Sequence, residues 1–108
     1  MTESEFNQRV DDTLVAIEEA IDEAGADIDY ESAAGILTLT IEANGSQIII
    51  NRQGPVKQLW LATRQSGYHF DWSDEAGGWV LDSDGTPFIK MLNDALLAQG
   101  AEALELEG

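Results

Sequence analysis

Asp11, Glu18 and Asp22 recur at spacings of seven and four, and Asp12, Glu19 and Glu23 repeat that spacing one residue on. On a helix each set forms a stripe, and the two stripes are neighbours opposite the apolar face. Asp27, Asp29 and Glu31 then alternate along the next segment, a strand expected to flank that helix. Residues 1–31 hold 11 of the 21 acids, and Arg9 is their only base. The expectation is one continuous acidic ridge with no basic group to relieve it. Like charges one turn apart destabilise a helix by about 0.2–0.5 kcal/mol per pair. Carboxylates are hard oxygen ligands, suited to iron, manganese, calcium or magnesium. The same ridge could receive a basic partner. No loop is spaced to wrap an ion, so such a site is exposed, weak and unselective. Two exposed charges about 4 Å apart interact by only about 1 kcal/mol in water, so several must act within the ~8 Å screening length. The plainer reading is a solvated face that keeps the chain soluble.

Trp60 is the second feature. In VKQLWLAT two strand phases compete: Leu59 and Leu61 inward with Gln58 and Trp60 outward, or the reverse. Outward, Trp60 stands on an open sheet face near Asn51, Gln58 and His69. A covered Trp buries about 150–250 Å², and such residues are common binding anchors. Inward, it belongs to the core. Catalytic groupings are weak. His69 is the single histidine, sits mid-strand and has no strained nucleophile turn beside it. A buried di-iron site would need Glu-x-x-His pairs, which the chain lacks.

The composition narrows the function further. Five Lys and Arg against 21 Asp and Glu give a net charge of −16 over 108 residues. Nucleic acid and anionic membranes would repel that surface. The absence of cysteine excludes disulfides, thiol catalysis and cysteine-held clusters. No apolar run approaches the ~18 residues of a membrane span, and MTESEFNQRV has no signal-peptide pattern, so the cytoplasm is the expected compartment.

The elements that must position these groups follow from periodicity. Residues 3–24 read as a helix with Phe6, Val10, Leu14, Ile17, Ile21 and Ala24 on its buried stripe, opened by a Thr2/Glu5 capping box and closed at Gly25. Asn44-Gly45 signals a two-residue hairpin turn, setting Ile41 opposite Ile48 and Leu39 opposite Ile50. GYHFDW places Tyr68, Phe70 and Trp72 inward and His69 and Asp71 outward. Thr86-Pro87 reads as N-cap and first residue of a second helix with Phe88, Met91, Leu92, Ala95 and Leu96 inward, ending at Gly100. The acidic tail AEALELEG follows. The fold class is α+β: a two-layer α/β sandwich in one domain, 1–108, with two terminal helices on one face of an antiparallel sheet of five to six strands.

INRQGPVKQLWLATRQSGYHFDW, Ile50 to Trp72, followed by GGWVLDSDGTPF, Gly77 to Phe88, resembles the frataxin family, and within it the bacterial members. SEFNQRVDDTLVAIEEAIDE and the DIDYE that follows fit the same family. The resemblance spans roughly residues 4–98, and its Asn-Arg-Gln…Trp-Leu-Ala pattern is specific. The sparse tail after Gly100 is a departure. The resemblance implies the same sandwich, an outward Trp60, and no catalytic activity. It implies weak binding of iron, ferrous or ferric, with other divalent cations able to substitute. It further implies a regulatory role in iron–sulfur cluster assembly, with docking on the cysteine desulfurase and its scaffold protein. The iron candidates it suggests are Asp11, Asp12, Glu18, Glu19, Asp22, Glu23, Asp27, Asp29 and Glu31. Glu18, Glu19 and Asp22, with Asn51, Gln53, Trp60 and His69 on the sheet, are the partner-binding candidates. A monomer is expected, with iron-driven oligomers left open. The alternative from another class is an acidic DNA mimic that blocks a nucleic-acid-binding protein; a ferroxidase-type enzyme is a third, lacking a closed site.

Overall fold

The first helix, α1, spans Glu3–Ala24. Thr2 accepts the Glu5 N–H, and the Glu5 carboxylate accepts the Thr2 N–H, so two of the donors orphaned at a helix start are satisfied. Gly25 closes it at φ +61°, a left-handed conformation that glycine adopts without steric cost. The buried stripe is Phe6, Val10, Leu14, Ile17, Ala20 and Ile21. Ala24, expected on that stripe, is exposed because the helix is already ending there.

The computed structural model describes residues 1–106. After α1 come β1 (Ile28–Ala33), β2 (Ile36–Ile41), β3 (Ser46–Gln53), β4 (Gln58–Ala62), β5 (Gly67–Ser73), β6 (Gly78–Leu81) and α2 (Phe88–Ala98). The six strands form an antiparallel meander in sequence order. Leu37, Leu39, Ile48, Ile50, Leu59, Leu61 and Phe70 make its inner face, and Phe6 to Ile21 of α1 and Phe88, Leu92 and Leu96 of α2 pack on it as one cluster. Each such side chain taken from water contributes about 1.5–3 kcal/mol, which is what fixes the alternation and sends the intervening residues to the outer face.

The hairpin register differs from the expected one. Leu39 faces Ile48, Leu37 faces Ile50 and Ile41 faces Ser46, so the loop is Glu42–Gly45, four residues long. Asn44 is the reason. Its Oδ1 accepts the Ser46 N–H at 2.9 Å, and its Nδ2 donates to the Gln99 carbonyl at 2.7 Å. A two-residue turn would have withdrawn Asn44 from both bonds. Because the slip is two residues, every side chain keeps its face. Thr86 does not cap α2: its hydroxyl bonds Asp84 at 2.6 Å, its carbonyl receives the Leu81 N–H at 2.7 Å, and Pro87 bridges to Val80 before the helix begins.

The tail packs despite its sparse sequence. Leu104 is 4 % exposed and belongs to the core cluster, and the Asn93 side chain holds both its N–H (2.8 Å) and its carbonyl (3.0 Å). Glu107 and Gly108, the last two residues of that segment, lie outside the described residues. Leu104→Ala is expected to cost about 2 kcal/mol, the low end for a core leucine because a terminal segment can collapse around the gap. Urea unfolding should show a lower midpoint with unchanged slope.

Candidate functional site

The acidic residues occupy two banks. Ile28 is buried, and the Tyr30 hydroxyl donates to the Asp22 carboxylate of α1 at 2.9 Å, so the even-numbered residues of β1 face the helix layer. By alternation Asp27, Asp29 and Glu31 face the outer side of the sheet. The expected single ridge is therefore divided by the β1 edge, with helix acids on one side and strand acids on the other. The signal was present in the sequence: an inward Ile28 already sends its odd-numbered neighbours outward.

The helix bank is itself two stripes with different settings. Asp12, Glu19 and Glu23 are exposed and lie opposite the core. Asp12 accepts a bond from Gln8 Nε2 at 2.8 Å, and Glu19 and Glu23 border a groove shared with Leu104, Glu105 and Leu106. Asp11, Glu18 and Asp22 lie on the rim of the packed face rather than opposite it. Glu18 is half-buried, Asp22 holds Tyr30, and Asp11 pairs with the Arg52 guanidinium. Arg52, on β3, also donates to Asn7 Oδ1 at 3.0 Å. The expectation that no base relieves the ridge thus fails at Asp11, where a residue 41 positions away supplies the counter-charge. Arg9 does not: its guanidinium lies over the Trp72 ring, 4.1 Å from the centroid. From Asp12 to Glu31 no acid has an ion-pair partner among the described residues.

Glu42, in the β2–β3 loop, joins the strand bank and was missed in the sequence. Its main-chain N–H donates to the Asp27 carbonyl at 3.0 Å. Its carboxyl is held above the usual range, chiefly by a hydrogen bond to Asp29 and then by the Asp29 charge. Two carboxylates this close favour sharing a proton, and a cation relieves the same repulsion. Tyr30 is likewise raised, mainly by its bond to Asp22. Among the described residues no three carboxylate or imidazole side chains converge on one point as a metal cage. The donor set is all oxygen and open to water, which fits a hard, exchangeable cation such as iron, manganese or calcium.

The outer sheet face carries the second site. Leu59 and Leu61 are buried and Trp60 points outward, so the first of the two competing strand phases holds. Asn51, Trp60 and His69 are direct partners across β3, β4 and β5, and Gln53 faces Gln58 one step along. The Trp60 indole N–H donates to Gln58 Oε1 at 3.0 Å, and its ring stacks on His69 with centroids 4.1 Å apart and planes 13° from parallel. Ile36 and Ile49 are exposed beside this row. Residues 43–70 hold three bases, Arg52, Lys57 and Arg64, and no acid. Arg52, however, turns to the helix side against Asn7 and Asp11, while Asp71 and Asp82 stand beside Gln58 and His69, so the aromatic row is flanked by acids as well as by the strand bank.

Two helices on one face of a six-stranded meander, an acidic first helix and edge strand, and an outward Trp in a Trp-Leu-Ala strand define a frataxin-type α/β sandwich. The chain belongs to the frataxin family: the frataxin-like domain matches residues 1–102. It is similar to proteins named "Iron-sulfur cluster assembly protein CyaY": 48 % identity to that of Pseudoalteromonas atlantica, covering 92 % of this chain and 89 % of the relative, and 46 % to that of Tolumonas auensis, covering 98 % and 99 %. Among solved structures it is similar to the frataxin of Psychromonas ingrahamii, with TM-score 0.90, 41 % identity and 100 % of both chains covered. Yeast frataxin follows at TM-score 0.65 and 30 % identity, covering 90 % of this chain and 84 % of that one. These similarities give the DNA-mimic reading no support. No helix among the described residues is long and apolar enough to cross a membrane.

Proposed function

We propose that this chain is a non-catalytic, iron-responsive regulator of iron–sulfur cluster assembly, acting in the cytoplasm. Its relatives are named for that pathway. The observation that carries the finer reading is the run of carboxylates around the β1 edge with no ion-pair partner among the described residues, Glu18, Glu19, Asp22, Glu23, Asp27, Asp29 and Glu31, joined by Glu42. Crowded like charges destabilise the fold, and an arriving positive body relieves them. Iron, ferrous or ferric, is one such body and is held weakly. Asp12 and Asp11 flank the run, and an ion at Asp11 must displace the Arg52 guanidinium. A basic surface on the cysteine desulfurase is the other. Asn51, Gln53, Trp60 and His69, on the outer sheet face that the strand acids border, then meet the scaffold protein. One protomer presents both surfaces, so a monomer suffices.

Because iron and desulfurase would use the same carboxylates, each must weaken the other's binding by an equal factor. A desulfurase titration with and without saturating ferrous ion, under anaerobic conditions, should show about a fivefold loss of affinity. The reciprocal iron titration should show the same factor. Potassium chloride at matched ionic strength is the control. Equal affinities in both directions would refute a shared surface.

A further inference from the structure

The Trp60 ring is held by more than its strand. Its N–H donates to Gln58 Oε1 at 3.0 Å, and the Gln58 amide in turn donates to Asp71 Oδ1 at 3.1 Å. His69 stacks on the indole face at 4.1 Å, and His69 Nδ1 lies 4.0 Å from the Asp82 carboxylate. The chain Asp71–Gln58–Trp60–His69–Asp82 thus crosses β4, β5 and the end of β6 on the outer face. None of these bonds is needed for the core, which is built on the other side of the same strands from Leu59, Leu61 and Phe70. A shallow cavity of about 150 Å³ lies beside the ring, bordered by Ile49, Asn51, Ala62 and Gly67.

A Trp on an open strand surface has two common χ1 rotamers. The one adopted here satisfies both the Gln58 acceptor and the His69 stack. We propose that Gln58 and His69 are positioning residues that fix Trp60 in one posture before a partner arrives, leaving the adjoining cavity open for a partner's apolar side chain. The gain is preorganisation: a side chain already ordered is not ordered again on binding, which is worth about three- to tenfold in affinity. The proposal rests on the docking role assigned to this face above, but its first test does not.

The full-length chain labelled with ¹⁵N gives one indole N–H signal from each of Trp60, Trp72 and Trp79, and Trp60→Phe identifies the first. Gln58→Leu should move the Trp60 signal and speed its exchange with water. His69→Ala should remove the stacking shift, and His69→Phe, which keeps a ring without its nitrogens, should restore it. The Trp72 and Trp79 signals should stay in place in all three variants, which a general loss of structure would not allow. A Trp60 signal unmoved by Gln58→Leu and His69→Ala overturns the proposal. On the purified desulfurase–scaffold complex, Gln58→Leu and His69→Ala should each weaken docking about three- to tenfold, with His69→Phe close to the unaltered chain. Trp60→Ala should weaken it at least thirtyfold, as for a central anchor. Full docking in His69→Ala beside a large loss in Trp60→Ala overturns preorganisation. Full docking in Trp60→Ala overturns the function assigned to the face, and leaves the spectroscopic result to be judged alone.

Discussion

Reversing Glu18, Glu19 and Asp22 to lysine together is expected to weaken docking on a basic desulfurase surface by about two orders of magnitude. Two unit charges about 8 Å apart in water interact by about 0.5 kcal/mol. Each reversal removes one attraction of that size and adds one repulsion. Three reversals therefore cost about 3 kcal/mol, or roughly a hundredfold. The unaltered chain should lose affinity steeply as salt is raised, because these groups lie in water and are screened within ~8 Å. The variant should show a much flatter response. Each reversal adds two charges, so the net charge moves from −16 to −10. Self-repulsion falls, and the variant should unfold no earlier than the parent unless the Tyr30–Asp22 bond matters. Tyr30→Phe measures that bond by itself and should leave docking unchanged. Interferometry at three salt concentrations reads both quantities. Equal affinities for parent and variant would remove the electrostatic account of the ridge.

The helix stripes, the capping box and the Gly25 stop were legible because each depends on residues within a turn or two of one another. The inward row of Leu37, Leu39, Ile48 and Ile50 was legible as a face but not as a register. The register depends on Asn44 reaching Gln99, 55 residues away, and no local pattern encodes that bond. The Asp11–Arg52 pair is equally distant, and it removes one carboxylate from a ridge that looked unrelieved. The division of the acids at the β1 edge is another matter. Alternation from Ile28 contained it, but treating the helix and strand acids as one surface hid it. Trp60 sat between two readings because Gln58-Leu-Trp-Leu alternates equally well in either phase. The neighbouring strands, with Ile50 and Phe70 buried opposite Leu61 and Leu59, decide the matter.

Gln99 shows how much of the fold hangs on such distant bonds, and replacing it should have the largest effect on stability of any single polar substitution proposed for this chain. It ends α2 and is 4 % exposed. Its Nε2 donates to Ser46 Oγ and to the Gln47 carbonyl, its Oε1 accepts the Arg64 N–H at 2.9 Å, and its own carbonyl receives Asn44 Nδ2. One side chain thereby joins α2 to the β2–β3 hairpin and to the β4–β5 loop. Gln99→Leu keeps the volume and deletes three bonds. The Ser46 hydroxyl is buried and the Arg64 N–H and Gln47 carbonyl are part-buried, and each orphaned group costs about 1–3 kcal/mol when water cannot reach it. Water can recover some of them at the loop, so the expected loss is about 3 kcal/mol. For a domain of this size that lowers Tm by about 12–20 °C. Asn44→Ala removes only the hairpin's tie to the Gln99 carbonyl and its local bond to the Ser46 N–H, and should cost less, about 1 kcal/mol. The double variant should fall short of the sum, because once either tie is cut the hairpin has already parted from α2. Calorimetry of the four proteins gives the coupling directly. Additive losses would mean that Gln99 and Asn44 brace separate segments, and a Gln99→Leu loss below about 1 kcal/mol would mean that solvent already satisfies those groups.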